Sequence, residues 1–95
     1  MARALEEARL SLLRPLLRRL PRAILIQAGC GDTAEVKARI SSTFSRAGRR
    51  IYLEDVSALE AQLKRRDGIG WDELLAARMS VRAVATRAVR VAGGR

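Results

Sequence analysis

Residues 10–22 read LSLLRPLLRRLPR, and this stretch limits the fold more than any other. Leu5, Leu12, Leu13, Leu16, Leu17 and Leu20 make one wide apolar face at helical spacing, while Arg14, Arg18 and Arg22 recur every four residues on another. The pattern predicts an amphipathic helix over about residues 3–20. Its leucines must be buried against other helices, a membrane surface or a partner. Pro15 has no backbone N–H and crowds the carbonyl of Ser11, so a kink or a break is expected there.

Later segments supply the other helices. Gly29-Cys30-Gly31 makes a turn, after which Asp32 and Glu35 stand in the capping-box arrangement. Val36, Ile40, Phe44 and Ala47 follow at three- and four-residue steps, with Gly48 as the stop. A third helix is expected from about Asp55, with Val56, Leu59 and Leu63 inward, interrupted at Asp67-Gly68-Ile69-Gly70. A fourth runs from Trp71 through Leu74, Leu75, Met79 and Ala85 to about Val91, ended by Gly93-Gly94. At 95 residues the chain is read as one domain, residues 1–95, with 78–95 as a basic C-terminal extension. Only 3% of residues are aromatic, so aliphatic side chains must build the core. Ala23–Gln27 and Ile51–Leu53 are β-prone and would give a strand–helix–strand alternative. The GCGDT turn between them resembles a nucleotide-binding loop but lacks the third glycine.

The formal charge of +9 is unevenly placed. Residues 1–22 hold six arginines against two glutamates, residues 23–75 balance eight basic with eight acidic residues, and residues 76–95 hold five arginines and no acid. Cationic ends suit phosphate, anionic lipid or an acidic protein surface. Cys30 is the single cysteine and there is no histidine. That excludes an internal disulfide, a Cys/His zinc site and histidine-based catalysis. Cys30 itself reads as a small turn residue. The acidic pairs Asp32/Glu35, Glu54/Asp55 and Asp72/Glu73 each sit where a helix should begin, so capping explains them and the chain is read as not an enzyme. No apolar run approaches a membrane span, and charges interrupt every apolar stretch near the N-terminus, unlike a secretory signal. That segment is Arg-rich and amphipathic, as mitochondrial targeting segments are, although Glu6 and Glu7 are atypical for one.

Leu12-Leu13-Arg14 followed by Leu16-Leu17-Arg18 resembles the opening helix of the LYR-motif (complex 1 LYR-like) family of small basic mitochondrial proteins, with leucine where tyrosine is usual. Val36-Lys37-Ala38-Arg39-Ile40 leading to Phe44 is similar to the family's basic second helix, and Asp55 through Leu63 to a further one. The resemblance implies an all-α, three- to four-helix LYR-type bundle with a kinked first helix. It implies a mitochondrial adaptor, in the matrix or on the matrix side of the inner membrane, that binds mitochondrial acyl carrier protein and anchors it to a larger complex such as respiratory complex I. No cofactor would be bound directly; the partner would bring acyl-4'-phosphopantetheine. Arg14, Arg18, Lys37, Arg39 and Arg46 would meet the acidic carrier, and Leu12, Leu13, Leu16, Ile40, Phe44 and Leu63 would line the acyl pocket. The basic termini would add contacts to host subunits, anionic lipid or RNA. A reading from another class is a small basic RNA-binding or mitochondrial-ribosome-associated protein. Its phosphate contacts would come from the arginine-rich ends. The scattered Phe44, Tyr52 and Trp71 give it little for base stacking.

Overall fold

A computed structural model describes residue 5, residues 8–64 and residues 70–93, the last three by backbone only. Among these residues the protein is all-helical, with no strand. Five helices follow one another: α1 (Leu10–Leu17), α2 (Arg22–Gly29), α3 (Ala34–Ser41), α4 (Arg46–Lys64) and α5 (Trp71–Gly93). The expected interruption at residues 67–69, and Gly94, lie outside the described residues.

Pro15 lies inside α1, and the chain breaks on either side of that helix. Arg9 is extended (φ −70°, ψ 136°) and starts α1, its carbonyl accepting from the N–H groups of Leu12 and Leu13. At the other end the turn tightens, with Arg19 N–H donating to Leu16 and Leu20 N–H to Leu17. Pro21 then opens α2, its carbonyl accepting from Ile24 and Leu25. The sequence pattern expected one helix over residues 3–20. The leucine spacing runs through Arg9 and Leu20 unbroken, so periodicity alone did not mark those ends.

Both β-prone stretches are helical, which overturns the strand–helix–strand alternative: Ala23–Gln27 lies in α2 and Ile51–Leu53 in α4. In α4, Tyr52 and Val56 are buried, Leu59 and Leu63 lie half-buried on the same stripe, and Ile51 and Leu53 face solvent. This stripe overrides the local preference of Ile-Tyr-Leu. The helix expected from Asp32 to Ala47 is instead two. Ser42 and Thr43 fold their hydroxyls back onto the carbonyls of Ala38 and Ile40, both at 2.7 Å. These bonds compete with helix continuation. Ser45 then opens α4, its Oγ accepting from Gly48 N–H at 3.2 Å. Gly48 is therefore an early residue of α4 and not a stop.

In packing, α2 is the centre, touching α3, α4 and α5, while α1 lies on α5. Helix α5 buries a narrow stripe of Leu74, Ala77, Val81, Ala85 and Ala88. Small side chains let neighbouring backbones come close. The crossing of α2 and α4 is closer still. The buried Tyr52 hydroxyl donates to the Leu25 carbonyl at 2.8 Å, and a Cβ at Gly29 would overlap that hydroxyl. The Tyr52 ring also stacks at a tilt on Phe44, with centroids 5.4 Å apart.

Gly29→Ala is expected to cost about 1–3 kcal/mol through overpacking, and Tyr52→Phe about 1 kcal/mol through the lost hydrogen bond. The double variant should lose less than the sum, because removing the hydroxyl removes the collision. Urea denaturation of the four proteins tests this; strictly additive losses would show that Gly29 is not seated on Tyr52.

Candidate functional site

The turn between α2 and α3 carries the densest polar cluster. Gly31 sits at φ +71°, the left-handed region that glycine reaches without strain. Its N–H donates to Glu60 Oε2 at 2.7 Å, and Lys37 Nζ meets the same oxygen at 2.6 Å. Arg78 Nη2 donates to the Cys30 carbonyl at 2.6 Å, and Arg78 Nε lies 3.6 Å from Asp32 Oδ2. Thr33, one residue later than the sequence pattern suggested, caps α3 by accepting from Val36 N–H. The turn is thus gripped by α4 through Glu60, whose carboxylate Lys37 of α3 also holds, and by α5 through Arg78. A cleft of about 400 Å³ opens beside it, lined by Cys30, Gly31, Glu60, Leu63, Lys64 and Trp71.

Electrostatics in this cluster follow from burial and pairing. Burial pushes the Glu60 carboxyl up, but the hydrogen bonds from Lys37 and Gly31 and the charges of Lys37 and Lys64 outweigh it, so its pKa is lowered. Burial, then the Glu60 charge, push the Cys30 thiol up against the opposing Lys37 and Arg78 charges. A buried thiol held protonated in this way is a poor nucleophile. Burial, followed by the charges of Asp32, Cys30 and Glu60, also raises Tyr52. No group of three His, Cys, Asp or Glu side chains among the described residues could hold a metal ion.

The basic residues singled out from sequence divide into two sets. Lys37 and Arg39 are used inside the chain: Lys37 on Glu60, and Arg39 on the carbonyls of Leu5, at 2.7 Å from Nε, and Ala8. Arg14, Arg18 and Arg46 are exposed and make no ion pair with a described residue. Of the apolar set, Leu13 and Ile40 are fully buried, and Leu12, Leu16 and Phe44 pack half-buried on the same core cluster. Leu63 lies apart, in the cleft beside Gly31. The cluster residues Glu60 and Arg78 were missed in the sequence. Their signal was a charge at core register: Glu60 follows Val56 by four residues, and Arg78 lies between Leu74 and Val81.

Two further surfaces stand out. Arg46, Arg49 and Arg50 surround the exposed Leu53 on α4, where a shallow groove of about 560 Å³ is found. On α5, the exposed Trp71, Leu75 and Met79 lead into a groove of about 780 Å³ walled by Arg82, Arg87 and Arg90. No described helix is long and apolar enough to cross a membrane. Compared with known proteins, the chain matches no family model, no curated protein and no solved structure.

The lowered Glu60 pKa links the cluster to stability. The folded carboxyl ionises at a lower pH than the unfolded one, so its contribution is present above the ordinary carboxylate range and is lost as pH falls through the folded value. Glu60→Gln is expected to lower stability at neutral pH and to flatten the acid side of the stability curve. Urea midpoints measured from neutral to acid pH check this; an unchanged acid slope would remove Glu60 from the account.

Proposed function

We propose that the protein is a non-catalytic adaptor of the LYR type, which holds a mitochondrial acyl carrier protein against a larger assembly such as a respiratory complex. One observation carries the reading: Arg14 stands exposed on α1 and Arg18 at its C-terminal cap, next to the half-buried Leu12 and Leu16, in a stretch with no acid from residue 8 to residue 31. Exposed guanidinium groups with no ion-pair partner among the described residues, beside apolar surface, suit a partner that brings carboxylates, phosphate and an alkyl chain together.

In this reading Arg14 and Arg18 meet the acidic face of the carrier, with Arg46 as a further contact. Lys37 and Arg39 act indirectly, by holding α3 to α4 and to the segment before α1. The acyl chain would first reach Leu12, Leu16 and Phe44, the half-buried members of the apolar set. Leu13 and Ile40 have no exposed surface and would meet it only if a helix moves aside. Each methylene taken from water would contribute about 0.8 kcal/mol. The ligand would therefore stabilise a small core by mass action.

Co-expression with a mitochondrial acyl carrier protein, followed by purification and intact mass, tests the reading. The expected result is a stoichiometric carrier bearing acyl-phosphopantetheine, lost when Arg14→Glu and Arg18→Glu are combined while helicity is retained. A folded protein that purifies without the carrier would overturn it.

A further inference from the structure

Helix α5 has two unlike faces. Its buried stripe of Leu74, Ala77, Val81, Ala85 and Ala88 is flanked by the half-buried Val84 and Val89, and the opposite side faces solvent. The outer face is divided along the axis. Trp71, Leu75 and Met79 recur every four residues at 67%, 52% and 70% exposure. These three span about 12 Å of the axis. Beyond them the same side carries Arg82, Arg87 and Arg90 around Ala83 and Thr86, small residues that leave the groove between the guanidinium groups open. None of these three arginines pairs with a described acid, and the sequence has no acid after Glu73.

We infer that the outer face of α5 is a docking surface for an acidic amphipathic helix of another protein, lying antiparallel to α5. The carboxylates of that helix would sit in its N-terminal turns, opposite Arg82–Arg90, and its apolar residues in the following turns, opposite Trp71–Met79. Charge complementarity selects the sign of the partner. The helix dipole selects its direction, since acids are favoured in first turns and the antiparallel arrangement brings the partner's positive end to the negative end of α5. Axial division is what favours a helix over other anionic partners. A membrane-surface helix needs its apolar residues along the whole length of one side, with the basic ones flanking. Here Asp72 and Glu73 also stand beside Trp71, where they would repel anionic lipid. An RNA surface interleaves aromatic and basic residues, whereas Trp71 lies about 16 Å along the axis from Arg82. Neither Arg14 nor Arg18 lines this groove, so the inference does not depend on the carrier reading.

Trp71 is the only tryptophan and lies within the surface, so its emission reports directly on docking. The probe is a synthetic, tryptophan-free peptide of about five helical turns. One face carries glutamates in the first turns and leucines in the last. A saturable one-to-one blue shift with the full chain is expected. Met79→Asp, and separately Arg82→Glu with Arg90→Glu, should each weaken binding about tenfold or more. A peptide with the glutamate and leucine turns exchanged should weaken by a similar factor. Arg14→Glu with Arg18→Glu should leave peptide binding unchanged, which separates a failure here from a failure of the carrier reading. No saturable shift, equal binding of the exchanged peptide, or insensitivity to the arginine substitutions would each overturn the proposal. So would a shift produced only by phosphatidylglycerol vesicles or by single-stranded RNA.

Discussion

The contact of Tyr52 with α2 sets the distances on which the other packing depends. One hydroxyl is both a donor to the Leu25 carbonyl and the atom that occupies the place of a side chain at Gly29. Because α2 also touches α3 and α5, the height of α4 above α2 governs how the remaining helices close. A core with so few large side chains has little else to do this. Alanines and valines fill space but do not hold one unique separation, whereas a buried hydrogen bond of fixed length does. The same ring leans on Phe44, at the point where the chain passes from α3 to α4.

A second constraint acts on the turn that α2 leads into. Cys30 and Gly31 each offer a backbone group that would otherwise be left without a partner, and Arg78 and Glu60 satisfy them from two distant helices. Buried or half-buried backbone groups in a turn are costly unless paired. The charges placed there therefore serve the fold first. Despite the large positive excess, Lys37 and Arg78 are used at this turn, and Arg39 is used in the same way on the carbonyls of Leu5 and Ala8. Of the cations that face outward, Arg22 and Arg50 pair with Asp55 and Glu54, and Arg14, Arg18 and Arg46 make no ion pair with a described residue.

Much of the helical content was legible in the sequence, and the reasons differ by element. Helix α5 matched expectation, with Trp71 at its start and Leu74, Met79 and Ala85 along it, because its spacing is long and uninterrupted. The division of α3 from α4 was not legible from hydrophobic spacing, since Val36, Ile40, Phe44 and Ala47 keep step straight through it. What broke the helix was the hydroxyl run Ser41-Ser42-Thr43, a local competition that periodicity does not register. The β-prone Ile51-Tyr52-Leu53 became helical because Tyr52 had a partner 27 positions back. The candidate site was less legible for a similar reason. Arg14 and Arg39 look alike in sequence, and only long-range contacts separate an exposed cation from one bound to the carbonyls of Leu5 and Ala8.

Alanine side chains give α5 a smooth underside. Ala77, Ala85 and Ala88 offer few ridges to resist motion along the axis, and Leu74 and Val81 are the larger groups on that stripe. The grip that fixes the helix lengthwise is Arg78 on the Cys30 carbonyl, near the N-terminal end. Mechanically, α5 is a rod laid against α1 and α2, with its polar fastening near one end. A pull near Arg90 would be resisted by apolar packing, and by a polar contact to another helix or turn only as far back as Arg78, among the described residues.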